Sequence, residues 1–348
     1  MNAGIYIHVP FCLRKCFYCD FFSYEAKEHS AFESYTHEVV AELENLQINK
    51  IDTVYIGGGT PTALPSFLLC KILHEISQLP LAHDAEITVE ANPGTIDAKY
   101  LAELNARGVN RLSIGLQTTH SDLLKTLGRI HSVQDFKENF HSARDAGFKN
   151  ISVDLMFGLP SQTQTKWRET LEEIIELSPE HISAYSLTPA ENTPLWEQIE
   201  SGKIVLPGDT IDREMYHMAR KILAEAGYEQ YELSNFAKHG FESRHNINCW
   251  TMKPYIGIGK GAHSFDGKSR WENPPDEITN LSASDLLSEK IILGLRMTRG
   301  VCEHEFSDVF KDEIAKLKKD GLLNSSQGRL FLTPLGMDFA NRVFMEFL

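Results

Sequence analysis

Cys12-Leu13-Arg14-Lys15-Cys16-Phe17-Tyr18-Cys19 follows almost directly on a short apolar run, Gly4-Ile5-Tyr6-Ile7-His8-Val9, and this junction decides how the rest of the chain is read. A β-branched run of that length predicts a buried strand. Three cysteines spaced C-x3-C-x2-C then predict a loop of thiols at the strand's carboxyl end. Three thiolates suit a [4Fe–4S] cluster that keeps one iron free of protein ligands. A structural zinc site is the alternative, and it wants a fourth Cys or His close by. His8 lies before the end of the strand, and Asp20 is a poor partner in a thiolate site. The other cysteines, Cys70, Cys249 and Cys302, are scattered. Cys70 and Cys302 stand in helical or apolar contexts that predict buried thiols.

Outward from this junction the same rhythm recurs. Apolar runs at Thr53–Ile56, Ile87–Ala91, Arg111–Leu116, Ile151–Met156 and His181–Leu187 alternate with helical patterns at Ala31–Gln47, Ser66–Gln78, Ala98–Arg107, Val133–Ala146 and Thr165–Leu177. Continuous β-branched runs are expected of parallel strands buried on both faces. Six βα repeats of roughly 30 to 35 residues predict an α/β fold, a partial (β/α)6 barrel of the TIM type, with function at the carboxyl ends of the strands. That core is expected over residues 1–227, closing with a helix at Thr210–Gly227. Residues 228–279 read as an extension, with one more strand at Tyr228–Leu233 and then an irregular His- and Gly-rich segment. Residues 280–348 read as a small winged-helix-like module: helices Ala283–Met297 and Asp308–Asp320, a Ser-Ser-Gln-Gly turn, a strand Arg329–Thr333 and a last helix Pro334–Phe347.

Composition narrows the classes. With 42% hydrophobic and 24% charged residues the chain can build a core, which excludes a disordered or fibrous protein. Six cysteines in 348 residues are too few for a disulfide framework. No apolar run is long enough to span a bilayer, and the start of the chain lacks the apolar segment of a secretory signal, so a cytoplasmic protein is expected, with docking at the membrane periphery as a variant. The formal charge of −14 argues against nucleic acid as a partner. From Asn280 onward nine Lys/Arg face ten Asp/Glu, so the winged-helix-like module carries no phosphate-binding footprint, and a sensor that binds DNA is disfavoured.

Further polar residues stand at the later strand ends. Gly57-Gly58-Gly59-Thr60-Pro61-Thr62 follows the second strand, where glycines let the backbone approach a ligand and free its polar groups for a carboxylate or amine. Glu90 lies in Val-Glu-Ala-Asn-Pro-Gly, Gln117 in Ser-Ile-Gly-Leu-Gln, Asp154 in Val-Asp-Leu-Met-Phe-Gly-Leu-Pro, and Arg129 in Leu-Gly-Arg-Ile-His. Any one of these reads equally as a solvated strand end.

Together with the cysteine run they resemble the radical S-adenosylmethionine (SAM) superfamily, in which the open iron chelates SAM and the reduced cluster cleaves it. Within it, the set resembles the oxygen-independent coproporphyrinogen III oxidases and the related HemW heme chaperones, over essentially the whole chain. The resemblance implies that Cys12, Cys16 and Cys19 hold the cluster. It implies SAM contacts for Tyr6, Tyr18, Gly58, Gly59, Thr60, Glu90, Gln117, Arg129 and Asp154, and less securely for Ser186 and for His263 in Gly-Ile-Gly-Lys-Gly-Ala-His.

Two features divide the oxidases from the chaperones. The oxidases carry a long extension before the first strand and a further cysteine two residues after the third ligand. Here the strand starts near Gly4 and that place is taken by Phe21, which points to the chaperones. A third feature, Arg244-His245-Asn246-Ile247-Asn248-Cys249-Trp250, resembles the H-N-x-x-Y-W segment linked with heme in that family, with Cys249 where the family has Tyr. His245, or the Cys249 thiolate, is then an expected axial ligand; packing in an irregular segment is the competing reading. The resemblance implies heme as cargo and apo-hemoproteins of the respiratory chain as acceptors. It also implies a low-potential electron donor and a second copy of the chain as a candidate partner; Arg14 and Lys15 read as solvated loop residues or, alternatively, as charges that steer an acidic donor. Coproporphyrinogen III decarboxylation is the alternative function.

Overall fold

A computed structural model describes residues 2–25 and 28–348. Each of the six apolar runs is a strand: β1 (Asn2–Val9), β2 (Lys50–Gly58), β3 (Leu81–Ala91), β4 (Arg111–Gln117), β5 (Ile151–Phe157) and β6 (His181–Ser186). They lie side by side in chain order and all parallel. The crossovers are α1 (His29–Glu44), α2 (Ser66–Gln78), α3 (Ala98–Ala106), the short α4 (Ser121–Thr126) with α5 (Val133–Asp145), and α6 (Gln164–Leu177). Local chemistry fixes their starts. Asp97, Ser132 and Thr163 each accept a hydrogen bond from a backbone N–H of the first turn, satisfying a donor the helix cannot use itself.

The two faces of the sheet differ. Ile5, Ile7, Val54, Ile56, Ile114 and Val153 point outward and are buried against Val39, Leu43, Leu69, Ile72 and Phe140 of the helices. The alternate residues turn inward: Tyr6 and His8, Tyr55, Thr88 and Glu90, Ser113 and Gln117, Asp154, Ser183 and Tyr185. Both faces are buried, but only the outer one is apolar. The curled sheet therefore encloses a polar lumen, where uniformly apolar strands were expected.

The sheet stays open, and its edges differ from the sequence reading. After α7 (Pro194–Glu200) and α8 (Asp209–Glu225), Tyr228–Leu233 yields only the two-residue β7 (Glu229–Gln230), which hairpins into β8 (Asn235–Ala237). A hairpin reverses chain direction, so β8 runs antiparallel to β6 and no further parallel strand forms on that side. At the other edge a parallel strand was missed: β9 (Tyr255–Ile258) pairs with β1 and begins a meander through β10 (His263–Phe265), β11 (Ser269–Glu272) and β12 (Ile278–Asn280). Gly257 inside a four-residue strand hides it in the sequence; a Cβ there would sit 2.3 Å from the His263 carbonyl oxygen. The segment between these edges is also ordered. Arg244–Trp250 is a helix, α9, capped by Ser243.

The C-terminal module comprises α10 (Ala283–Leu295), β13 (Val301–Cys302), α11 (Lys311–Lys319), β14 (Leu323–Ser326), β15 (Arg329–Leu332), α12 (Pro334–Asp338) and α13 (Ala340–Met345). It has its own apolar core around Ile291, Phe306, Leu317, Leu330 and Val343. The expected last helix is broken at Phe339 (φ −114°, ψ 29°), which leaves the helical basin. Cys70 is buried, as expected; Cys302 is only partly so, its Sγ 3.0 Å from His304 Nδ1.

Candidate cluster and cofactor site

The carboxyl ends of the strands open into a cavity of about 500 Å³. Cys12, Cys16 and Cys19 all line it, together with Tyr18, Gly58, Gly59, Thr60, Glu90, Gln117, Arg129, Asp154 and Ser186. The cysteine loop is tied to the barrel at several points. Phe17 donates its N–H to the Leu127 carbonyl (3.0 Å) and accepts the Leu195 N–H (2.9 Å). His8 Nε2 donates to the Phe22 carbonyl (2.7 Å), which leaves Nδ1 to accept from the Tyr6 hydroxyl (3.0 Å). Lys15 donates to the Phe21 carbonyl (3.0 Å) and braces the loop. Arg14 lies over the Phe17 ring at the cavity mouth.

The glycines are required where they stand. Gly59 donates its N–H to the Val9 carbonyl (2.7 Å) and Thr60 to that of Phe11 (2.7 Å), stitching the turn to the cysteine strand. A Cβ on Gly59 would lie 2.7 Å from the Phe11 oxygen, and Gly58 sits at φ +105° against the His8 ring.

Two sulfurs receive donors: Thr60 Oγ1 lies 3.6 Å from Cys12 Sγ, and Arg129 Nη1 3.5 Å from Cys16 Sγ. Asn92 links these donors, giving its amide N–H to Thr60 Oγ1 (2.7 Å) and accepting Arg129 Nη2 (2.6 Å). The donor set fits an iron–sulfur cluster. Burial, and then the neighbouring thiols, push Cys12 and Cys19 up, so three thiolates here call for a cationic centre between them. Hydrogen bonds to sulfur are a recognised control on cluster potential. No His joins the three cysteines in the lining, as a zinc site would want.

Across the cavity two carboxylates face the Arg129 side. Glu90 accepts from Tyr55 Oη (2.6 Å) and from the Gly58 N–H (3.2 Å). Asp154 accepts from Ser113 Oγ (3.2 Å). Burial raises both, and carries Glu90 up to about 7. Burial works against the charge of Arg129, but Tyr18 and Cys16 beside it outweigh that and hold it firmly cationic. Gln117 adopts φ +78° at a register shift where Gly115 pairs with Asp154 and Gln117 with Leu155. That bulge aims its amide into the cavity, where it accepts from Tyr185 (3.0 Å). A non-glycine residue held there costs about 1–3 kcal/mol, strain that accumulates at functional sites. The cavity lining offers one cation, Arg129, and two carboxylates, Glu90 and Asp154, suited to a ligand bearing both an ammonium and a carboxylate.

Two expected SAM residues are absent from the cavity lining: Tyr6 is half-buried and bonded to His8, and His263 is exposed on β10. Tyr55, Asn92, Ser113 and Tyr185 line the cavity and were not singled out. Inward alternation would have found them, because Asn92 is two residues from Glu90, and Ser113 and Gln117 share one face of β4.

The expected heme segment lies at the opposite, amino-terminal end of the lumen. Glu86 accepts the N–H groups of Arg244 and His245 (3.0 Å each) and docks α9 there as a plug. His245 is 5% exposed, with Nδ1 3.0 Å from Thr53 Oγ1. Burial and then the charge of Arg111 lower it to about 4, so it is a neutral packed imidazole. Burial pushes the Cys249 thiol up to about 11. His245 is buried and Cys249 is partly exposed, and α9 is an ordered helix where an irregular segment was expected. Beside them His181 donates from Nδ1 to Ser152 Oγ (2.8 Å) and accepts the Tyr231 hydroxyl at Nε2 (2.8 Å).

An open parallel α/β sheet with three cysteines after its first strand and a glycine turn after its second defines a radical SAM protein. The radical SAM superfamily profile matches residues 6–174, and the HemN C-terminal domain profile matches residues 281–339. The chain is 35% identical to the heme chaperone HemW of Bacillus subtilis (strain 168) across 99% of this chain and 98% of that one. It is 41% identical to the heme chaperone HemW of Escherichia coli (strain K12) across 75% and 69%. It is 35% identical to the mitochondrial radical S-adenosyl methionine domain-containing protein 1 of Danio rerio across 95% and 82%. Among solved structures, coproporphyrinogen III oxidase (HemN) of Escherichia coli superposes with a TM-score of 0.85 at 22% identity, covering 99% of this chain and 90% of that one. The chain belongs to the HemW family of radical SAM proteins. Among the described residues no helix is long and apolar enough to cross a membrane.

The state of Glu90 gives a pH prediction. Its carboxyl ordinarily titrates at 4.5 and in the folded protein at about 7, so between these values the folded state holds the extra proton. The contribution of Glu90 to the stability of the ligand-free protein is therefore greatest below 4.5, falls as pH rises towards 7, and levels off above it. A cationic ligand favours the ionised form, so SAM affinity rises through neutrality, by at most about tenfold per pH unit below 7. Glu90→Gln flattens the profile. Equilibrium dialysis of SAM against pH checks this; an unchanged slope in the variant would remove Glu90 from the site.

Proposed function

We propose that the protein is a heme carrier that takes up heme and passes it to apo-hemoproteins, those of the respiratory chain being the acceptors, and that its barrel holds a [4Fe–4S] cluster and SAM. The observation that carries this reading is the likeness to HemW chaperones along virtually the entire chain. Cys12, Cys16 and Cys19 would bind the cluster, with Thr60 and Arg129 bonding two of its sulfur ligands. Glu90, Gln117, Arg129 and Asp154 would orient SAM. Once bound, the cluster and SAM supply one-electron reductive chemistry, fed by a low-potential donor. Tyr55 and Ser113 fix the two carboxylates, and Asn92 holds the two sulfur-facing donors in one plane of contacts.

The test is a split sample of anaerobically reconstituted protein. One half is titrated with heme; the other receives SAM, reductant and coproporphyrinogen III. Stoichiometric heme uptake without carbon dioxide release is expected. Protoporphyrinogen formation would replace the carrier by a decarboxylase.

A further inference from the structure

Arg111 opens β4 on the lumen side of the sheet and is 2% exposed. Among the described residues its side chain makes no hydrogen bond and no ion pair, and its buried Nε has no partner. The ionisable groups around it are engaged elsewhere. Glu90 and Asp154, towards the cavity, are held by Tyr55, Gly58 and Ser113, and His181 by Ser152 and Tyr231. His245 is bonded to Thr53. A guanidinium buried without a bonded acceptor is costly, so a carboxylate able to reach it is strongly attracted.

The carboxylate placed to reach it is Glu86. Thr88 and Arg111 are register partners across β3 and β4, and Thr88 Oγ1 is likewise buried without a partner. Glu86 stands two residues before Thr88 on the same face of β3. That makes it a diagonal neighbour of Arg111, a separation of about 7–8 Å that two long side chains span. In this structure Glu86 turns to α9 and accepts the N–H groups of Arg244 and His245. The other ties of the first turn of α9 are fewer: His245 Nδ1 meets Thr53 Oγ1 at 3.0 Å, and Arg244 pairs with Asp84 at the surface (3.3 Å). The far end of α9 is anchored separately, since Ile247 and Trp250 pack against the cluster of Tyr231, Ala237 and Met297.

We propose that Glu86 is shared between two states of α9. In the docked state it caps the helix; in the undocked state it pairs with Arg111, and the first turn of α9 swings out on the anchor of Ile247 and Trp250, presenting His245 to heme. The assignment rests on the heme-carrier reading above and keeps α9 as the segment that meets the cargo. Heme then binds the undocked fraction alone, and its apparent Kd is the intrinsic value divided by that fraction. Arg111 is a positioning residue in this scheme: it acts through Glu86 and touches no heme.

The experiment compares full-length reconstituted wild-type and Arg111→Met protein without SAM. Native-state hydrogen exchange reads the α9 amides, and heme titration is followed at the Soret band by difference against the cluster. Circular dichroism and iron content check folding. Without Arg111 the undocked state loses its ion pair, so exchange at the His245 amide should slow and heme affinity should fall by the same factor, about tenfold. A residue that merely supports the fold would loosen α9 and speed its exchange when removed. Arg111→Gln should give the same pair of changes in smaller measure, and it serves if the methionine variant does not fold. In a Glu86→Gln background Arg111→Met should change neither quantity, because no carboxylate is left to transfer. Exchange that is unchanged or faster in the Arg111 variants, or an equal effect of Arg111→Met in the Glu86→Gln background, would overturn the shared carboxylate and leave the carrier reading standing. Slower exchange with unchanged heme affinity would overturn undocking as the route to heme, again without touching the carrier reading. A wild-type protein that takes up no heme would overturn both.

Discussion

Replacing Cys16 by serine is expected to abolish cluster assembly. Anaerobic reconstitution should leave the variant with almost no bound iron or sulfide and without the broad visible absorption of the wild-type protein. The reason is local. Cys16 is the middle of the three cysteines lining the cavity, and its sulfur faces Arg129 Nη1 at 3.5 Å. A serine hydroxyl is a hard, weakly acidic ligand that serves iron–sulfur clusters poorly. Two remaining thiols cannot hold the cluster while SAM fills a further iron site. The change also removes the thiol beside Arg129, a buried cation whose Nε already has no partner among the described residues. Wild-type iron content in Cys16→Ser would contradict the assignment.

The largest expected effect on stability falls at the other end of the lumen. Glu86 is 5% exposed and accepts two backbone N–H groups at the start of α9, from Arg244 and from His245, both at 3.0 Å. Neither N–H has an intrahelical partner at that position. Hydrogen bonds to a charged acceptor are worth about 1.5–3 kcal/mol each, so Glu86→Ala should cost about 3–6 kcal/mol, against a total stability of about 5–15 kcal/mol. Glu86→Gln, which keeps one acceptor oxygen, should fall between. Urea unfolding checks this, and a change within about 0.5 kcal/mol, as for an ordinary surface site, would show that α9 is not held by this carboxylate.

How much of this was readable in the sequence follows from the physics of each element. The six strands were legible because their outward residues, such as Ile5-x-Ile7-x-Val9 and Ile114-x-Leu116, must be apolar to meet the helices. The cluster loop was legible because thiol spacing is itself the chemistry. The polar lumen was not, although it is written in the same runs: Arg111, Ser113 and Gln117 alternate with Leu112, Ile114 and Leu116, and a reading by run length averaged the two faces. Gln117 was found by position alone; the bulge and positive φ that aim it could not be. His245 differs. Its motif was visible, but its direction depended on Glu86, 159 residues away.

The central claim is that the protein carries heme, and transfer tests it most directly. Heme-loaded, cluster-containing protein would be mixed under anaerobic conditions with an apo-hemoprotein, and the acceptor's holo spectrum followed in time. The account predicts that the acceptor fills to the amount of heme lost by the carrier, faster than the heme exchanges to an unrelated scavenger. Heme that stays on the protein, or reaches acceptor and scavenger at the same rate, would contradict it.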